Sequence, residues 1–388
     1  MKPFLFAPET ILMLYLHIPY CHRKCSYCAF YSVVSSDGRA EYVDALCNEI
    51  GLRGDGRALK TIYFGGGTPS MLSIYELRKI RDAIEQSFDI SQVEEVTIEA
   101  NPEDLTKDYL KELYDMKFFN RLSIGVQSFN DSDLRVINRR HDSMQATRAI
   151  LDASEVGFLN LSIDIIMGLP SQKVADFEEN LCCMEELLPH SAIKHISCYE
   201  LTVEENTILD KQLKLGRLTL PDEDLLVAEY EALQKWCQEK GFEQYEVSNF
   251  ALPGWHSRHN SRYWQQVPYI GVGTGAHSFD GNRRRWNLSD IKAYIKGAKR
   301  GEVPYDEEQL TKDDMFNEFV MTALRTAKGI NKRSLQEHYP DNVVLVSAKM
   351  EKYKHHGLIK ETEDSYEPTS KGLLQADAMA AEMFKIEN

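Results

Sequence analysis

Six apolar, β-branched runs recur along the first two hundred residues, and the first five end in the same way. They are "ILMLYLHI" (11–18), "TIYFGG" (61–66), "EVTIEAN" (95–101), "RLSIGVQSF" (121–129), "LSIDIIMGLP" (161–170) and "IKHISCYEL" (193–201). Amphipathic segments at helical spacing separate them, among them "SIYELRKIRDAIEQSF" (73–88) and "SMQATRAILDASEVGF" (143–158). Strands alternating with helices build βα units and a parallel sheet. Six such units predict an open or partial (β/α)6 barrel, in which chemistry gathers at the C-terminal ends of the strands. Polar and glycine punctuation falls at those ends: Cys21 onward, "GGGTPS", "EANPEDL", "GVQSFN" and "GLPSQ". Folding alone does not demand that agreement, so a single site is expected there.

From about residue 310 the pattern changes to helices with a short hairpin near "GLIKETEDSYEPT". The expected division is therefore an α/β barrel with its site over residues 1–290, a connection over 291–309, and a small helical, winged-helix-like domain over 310–388. Across the 388 residues, 43% are apolar and 27% charged, an ordinary globular balance. No apolar run reaches the length of a membrane span, and "MKPFLFAPET" lacks the layout of a secretory signal. A cytoplasmic location is expected. The net charge of −15 opposes a phosphate backbone, which excludes nucleic acid as a partner class; "NRRRWN" (282–287) is the one dense basic run.

In a reducing compartment clustered cysteines hold metal more often than disulfides. The stretch "LHIPYCHRKCSYCAFYS" (16–32) sets Cys21, Cys25 and Cys28 in C-x3-C-x2-C spacing, with Phe30 where a fourth thiol would continue the run. The other five, Cys47, Cys182, Cys183, Cys198 and Cys237, read as small buried hydrophobes. A structural zinc site closes with four ligands, and here His17 or His22 would have to complete the set. A 4Fe–4S cube held by three thiolates instead keeps one iron open.

This loop after a first barrel strand resembles the radical S-adenosylmethionine (SAM) superfamily. The resemblance implies a partial barrel of radical SAM type. It also implies a 4Fe–4S cluster on Cys21, Cys25 and Cys28, with SAM chelated by the open iron. "GGGTPS" is similar to the superfamily's glycine-rich motif, which hydrogen-bonds the SAM amino group. Glu99, Gln127, Arg139 and Asp164 suit the same ligand: carboxylates for ribose hydroxyls or the ammonium, an arginine for the carboxylate.

The succession "YLHIPYCHRKCSYCAF", "YFGGGTPS", "IEANPEDL", "RLSIGVQSF", "DIIMGLPSQ" and "HISCYELTVEENT" resembles the oxygen-independent coproporphyrinogen III oxidase group over nearly the whole chain. On that pattern Tyr15, Gly66, Gly67, Thr68, Glu99, Gln127, Arg139 and Asp164 line the SAM site. The oxidases of this group carry a cysteine two residues past the third ligand and a longer N-terminal extension. Here position 30 is Phe30 and 20 residues precede Cys21. The second kind of member, the HemW haem chaperones, has Phe at that place and an H-N-x-x-Y-W motif. "HNSRYW" (259–264) is similar to it.

That resemblance implies haem as a cofactor or cargo, and transfer to apo-haemoproteins such as respiratory or haem-storage proteins. Contact with the membrane face and homodimerisation come with the same expectation, and the cluster and SAM would govern conformation or transfer. His259 is the candidate haem ligand, with Tyr263 and Trp264 available to stack on a macrocycle; the competing reading of His259 is a polar core corner. The alternative function is a coproporphyrinogen III dehydrogenase, a radical SAM oxidative decarboxylase. A third is a radical SAM enzyme acting on another substrate. No catalytic residue is assigned.

Overall fold

The computed structural model describes residues 12–35, 37–170 and 172–385. "MKPFLFAPET", Ile11 of the first apolar run, Ser171 of "GLPSQ" and the last three residues of the C-terminal domain lie outside the described residues.

Strands β1 (Leu12–Ile18), β2 (Leu59–Gly66), β3 (Glu95–Ala100), β4 (Arg121–Gln127), β5 (Leu161–Met167) and β6 (Ile193–Glu200) lie side by side in sequence order, all parallel. The crossovers are α1 (Arg39–Arg53), α2 (Ile74–Ser87), α3 (Lys107–Asp115), α4 (Asp131–Val136) with α5 (Ser143–Val156), and α6 (Val174–Leu187). Capping boxes start two of these helices, Ser73 with Glu76 and Asp142 with Gln145, so the strand-to-helix switch is written in local side chains.

Successive strand residues face opposite sides. Leu14, Leu16, Ile62, Phe64, Ile98, Leu122, Ile124, Ile163 and Ile196 join the main apolar core. The intervening positions carry Tyr15, Thr61, Tyr63, Glu99, Arg121, Ser123, Asp164 and His195, which give the barrel a polar inner face.

The sheet does not stop at six strands. After α7 (Ile208–Lys214) and α8 (Glu223–Glu239), β7 (Glu243–Gln244) and β8 (Asn249–Ala251) extend it antiparallel beyond β6. Helix α9 (Arg258–Trp264) then leads to β9 (Tyr269–Val272), which runs parallel beside β1. β10 (His277–Phe279), β11 (Arg283–Asn287), α10 (Ile291–Ala298) and β12 (Tyr305–Gln309) follow, completing twelve strands. These six additions are only two to five residues long, too short for a period-two signal, so the sequence did not announce them.

The stretch 291–309, expected as a connection, carries α10 and the edge strand β12. The basic run "NRRRWN" lies on β11 in register with that acidic edge, Arg284 opposite Glu308 and Arg285 opposite Glu307. Arg283 pairs with Asp280 (3.0 Å), Arg284 with Glu318 (2.9 Å), and Arg285 lies over the Tyr305 ring. The cysteine reading needs correcting: Cys198 and Cys237 are buried, Cys47 and Cys183 only partly so, and Cys182 is exposed on α6.

The C-terminal domain has its own core, built from Phe316, Val320, Leu324, Ile330, Leu335, Val346 and Met350. Its order is α11 (Lys312–Leu324), β13 (Ile330–Asn331), α12 (Lys332–His338), α13 (Val343–His355), β14 (Ile359–Glu361) and β15 (Ser365–Pro368). β15 pairs with both β13 and β14, which is a winged-helix arrangement. It docks on the barrel through Val247 N–H to the Arg325 carbonyl (2.9 Å), Ala327 N–H to the Tyr245 carbonyl (3.0 Å) and an Arg284–Glu318 ion pair (2.9 Å). Among the described residues no helix is long and apolar enough to cross a membrane.

Glu49 on α1 holds the late strands to the early ones. Fully buried, it accepts from Gly273 N–H (2.8 Å), Asn287 Nδ2 (2.9 Å) and Tyr294 Oη (2.7 Å). Glu49→Ala strands three buried donors and is expected to cost about 3 kcal/mol in urea unfolding; a loss below about 1 kcal/mol would contradict this account.

Candidate cofactor site

The loops following β1 to β4 converge at one end of the barrel. The cysteine loop is pinned by Cys21 N–H to the Val33 carbonyl (3.0 Å), Ser26 N–H to the Ile137 carbonyl (3.0 Å) and Asn138 Nδ2 to the Lys24 carbonyl (2.9 Å). Asn138 takes a positive φ of 60° to do this. Cys21, Cys25 and Cys28 are free, partly buried thiols. An arc of hydrogen bonds links two of them across three other loops. Thr68 Oγ1 donates to Cys21 Sγ (3.5 Å), and Asn101 Nδ2 donates to Thr68 Oγ1 (3.3 Å). Arg139 closes the arc, giving Nη2 to Asn101 Oδ1 (2.7 Å) and Nη1 to Cys25 Sγ (3.4 Å).

Soft thiolates backed by a guanidinium and a hydroxyl fit an anionic iron–sulfur cluster, because outer donors orient such ligands and tune their charge. The zinc alternative lacks its fourth ligand: His17 already engages Tyr15 Oη at Nδ1 (3.2 Å) and the Tyr31 carbonyl at Nε2 (3.0 Å), and His22 leans toward Asp104 (3.9 Å).

The glycine loop lies against the root of the cysteine loop. Gly67 N–H donates to the Ile18 carbonyl (2.8 Å), and a Cβ on Gly67 would meet the Tyr20 and Ile18 carbonyls at 2.8 and 2.9 Å. Gly66 has φ 111°, and a Cβ there would run into the His17 ring at 2.7 Å. Neither position accepts a side chain. Glu99 faces this loop, taking a bond from Tyr63 Oη (2.8 Å) and one from Gly66 N–H (3.2 Å). Tyr15 stacks on Tyr63 with ring centres 6.1 Å apart. Asp164 accepts from Ser123 Oγ (3.1 Å). At the end of β4 the ladder slips between Gly125 and Gln127, and Gln127 adopts φ 68°, a strained value for a side-chain-bearing residue. Tyr15, Gly66 and Glu99 thus meet around Tyr63, Thr68 and Arg139 reach Cys21 and Cys25, and Gln127 ends β4 while Asp164 lies within β5.

Burial lifts the Glu99 carboxyl from the ordinary range to about 7, with the Tyr63 bond opposing and Asp164 adding to the rise. Burial likewise lifts Asp164 to about 6, against the pull of Arg121. Two carboxyls poised near neutrality suit hydroxyl or ammonium recognition.

His259 shares none of the site's hydrogen bonds. It is 0% exposed, and both ring nitrogens are engaged: Nδ1 with Thr61 Oγ1 (2.8 Å) and Nε2 with Tyr263 Oη (3.0 Å). Burial holds its pKa down at about 3, so the ring is neutral. Neither nitrogen is available to a haem iron in this arrangement, which is that of a polar core corner. Trp264 faces Arg325, 5.6 Å from the guanidinium, rather than an open ring-stacking site. Sequence reasoning missed Asn101, Tyr63, Ser123 and Asn138. Asn101 at least stood in a quoted motif, at the end of a strand.

A carboxylate whose folded pKa is raised favours the folded state most when protonated. That stability is fully present below the ordinary value of 4.5 and is lost as pH rises through about 7. Replacing Glu99 by Gln removes the dependence. In thermal melts of the apo-protein, Glu99→Gln should gain on wild type between pH 5 and pH 8; a difference that does not change with pH would contradict the burial argument.

Comparison with known proteins agrees with this fold. Residues 15–181 match the Radical SAM superfamily, and residues 310–374 match the HemN C-terminal domain. Heme chaperone HemW of Bacillus subtilis is 35% identical, covering 93% of this chain and 96% of its own. The protein of the same name from Lactococcus lactis is 36% identical over 81% of this chain and 82% of its own. Among solved structures, coproporphyrinogen III oxidase (HemN) from Escherichia coli, a radical SAM enzyme, superposes with a TM-score of 0.83 at 25% identity, covering 98% of this chain and 91% of that one. A cysteine loop and a glycine loop joined by Asn101 and Arg139 on a partial barrel, a HemN-type C-terminal domain and near full-length likeness to these relatives lead to one assignment: the chain belongs to the HemW haem chaperone family of the radical SAM superfamily.

Proposed function

We propose that this protein is a haem chaperone, which binds haem and hands it to apo-haemoproteins, working in the cytoplasm with access to the membrane face. The observation that carries this reading is the near full-length similarity to proteins named haem chaperones. Phe30 supports it from the site itself. The side chain at that position is 70% exposed and cannot supply a further thiol beside Cys28.

Cys21, Cys25 and Cys28 would hold the 4Fe–4S cluster that the superfamily implies, leaving one iron for SAM. If bound there, such a cluster would supply one-electron reducing chemistry to SAM. The remaining residues bind and orient. The Gly66–Gly67–Thr68 backbone is suited to the ammonium, Arg139 to the carboxylate, and Glu99, Gln127 and Asp164 to the ribose hydroxyls. In this reading the cofactor pair governs when haem is released rather than oxidising a porphyrinogen.

The test uses protein reconstituted anaerobically with iron and sulfide. Haem titration should give saturable binding with a Soret band, and a bound haem should move to an apo-cytochrome. With SAM, dithionite and coproporphyrinogen III, mass spectrometry should find no decarboxylated product. Absence of haem binding, or appearance of that product, would reverse the assignment. The triple variant of Cys21, Cys25 and Cys28 to Ala should lose iron and the cluster's visible absorption while keeping the far-ultraviolet circular dichroism of wild type.

A further inference from the structure

The "HNSRYW" segment forms α9, and α9 is fastened beneath the barrel. The Glu95 carboxylate at the start of β3 is buried. It accepts from Arg258 N–H (2.9 Å), His259 N–H (3.0 Å) and Ser257 Oγ (3.5 Å). On the surface side, Arg258 and Arg262 both pair with Glu94, at 2.9 and 3.2 Å. These bonds hold the helix so that His259 points up into the polar interior. Its ring meets Thr61 at Nδ1 and lies against the Tyr63 ring, centres 5.0 Å apart and planes 30° apart. Thr61 and Tyr63 occupy the same inner face of β2. Tyr263, bonded to His259 Nε2, packs edge-on against Tyr269 at 4.8 Å, so the histidine is braced from below as well.

Above Tyr63 the chain of contacts continues into the cofactor site. Tyr63 Oη donates to Glu99 Oε1, and Glu99 Oε2 accepts from the Gly66 amide of the glycine loop. Tyr15 also stacks on Tyr63, ring centres 6.1 Å apart. A ring packed against both Tyr15 and His259 has little freedom, and its hydroxyl is delivered to one carboxylate oxygen. Ligation of a haem iron by His259 would require breaking the Thr61 or Tyr263 bond and drawing the ring out past the Glu95 anchor.

We infer that His259 is a positioning residue of the SAM pocket and not the haem donor: braced by Tyr263 and Thr61, it fixes Tyr63, and through Tyr63 it aims the Glu99 carboxylate. The inference rests on the radical SAM haem-chaperone reading above and gives its signature motif a different task within it. The "HNSRYW" helix is the floor of the cofactor site, and haem binds elsewhere on the protein.

The experiment compares full-length, cluster-reconstituted wild type with His259→Gln, Tyr63→Phe and the double variant. SAM affinity is measured by anaerobic calorimetry and haem affinity by Soret titration. Loss of one hydrogen bond to a carboxylate corresponds to a weakening of roughly tenfold in SAM binding for Tyr63→Phe. His259→Gln should weaken SAM several-fold, and the double variant should be no weaker than Tyr63→Phe, because both act through one contact. Haem affinity and Soret position should stay at wild-type values throughout.

A pH series adds a readout that mere loosening would not move. Glu99 is faced by Tyr63 and Gly66 on β2, Tyr15 on β1, Arg121 on β4, Asp164 on β5 and Tyr199 on β6. Without the Tyr63 donor, the midpoint at which SAM binding rises with pH should move upward. Retained SAM affinity in Tyr63→Phe overturns the inference even if His259→Gln does not fold. A displaced Soret band or lost haem binding in His259→Gln, with SAM binding intact, restores His259 as the haem donor. Failure of wild type to bind haem sinks the chaperone reading alone and leaves the SAM comparison to be scored separately.

Discussion

The inner face of the parallel strands is polar, and most groups on it find a partner away from bulk water, with Arg121 Nε and Nη1 among the exceptions. Unpaired polar groups in such an interior cost on the order of 1–3 kcal/mol each, so the interior has to be nearly complete as a network before the barrel is stable. Register supplies much of that network. Glu99 lies beside Ser123, Ser162 beside His195, and Asp164 beside Ser197 across neighbouring strands. Ser162 Oγ meets His195 Nδ1 at 2.8 Å, and His195 Nε2 meets Tyr245 Oη at 2.7 Å. Arg121 is the counter-charge in the middle, fully buried and drawn on by Glu99 and Asp164 alike.

A half barrel cannot complete this network with six strands. Its floor is supplied by the chain beyond β6: Tyr245 from the β7–β8 turn, and His259 and Tyr263 from α9. The same segment continues into β9, which pairs with β1 and brings the Gly273 turn against His17 and Tyr42. The late strands are therefore structurally part of the cofactor site. They brace the root of the cysteine loop from one side and the Glu99 shelf from below. The C-terminal domain joins through the same region, since Arg325 reaches both Trp264 and the Val247 amide. A change in "HNSRYW" is thus in contact with the Tyr63–Glu99 pair and with the C-terminal domain.

Much of the upper site was legible in the sequence because parallel strands buried on both faces leave strong signals. Their apolar runs are long, and each ends abruptly in polar or glycine residues that have no packing reason to agree. Cys21, Cys25 and Cys28, the glycine trio and Glu99 stand at or just past those ends, whereas Asp164 lies within β5 and Arg139 beyond α4. Position along a strand end was enough to gather the thiols, the glycines and Glu99, even though the bonds in the site join residues more than a hundred positions apart, as Arg139 to Cys25 does. Asn101 escaped because an amide after a strand reads equally well as a turn residue. Its bridging task between Thr68 and Arg139 exists only in three dimensions.

The lower site was not legible, for a physical reason that "HNSRYW" makes plain. A histidine with two aromatics at helical spacing is what a macrocycle clasp requires, and it is equally what a polar barrel floor requires. Both need a neutral ring nitrogen, flat apolar area and a hydroxyl in reach. The sequence states the three ingredients but not which surface they meet. That is decided by Thr61, 198 residues away, and by Glu95, whose carboxylate fixes the start of α9. Each is ordinary in its own strand: a threonine in a β-branched run, a glutamate at a strand's first residue. Only the closing of the sheet turns them into anchors, and once they are, the histidine's second nitrogen has a single partner left, the tyrosine of its own helix. The histidine's chemistry is then used inside the fold, and exposed apolar surface beside the cysteine loop is offered instead by Phe30 and Val34.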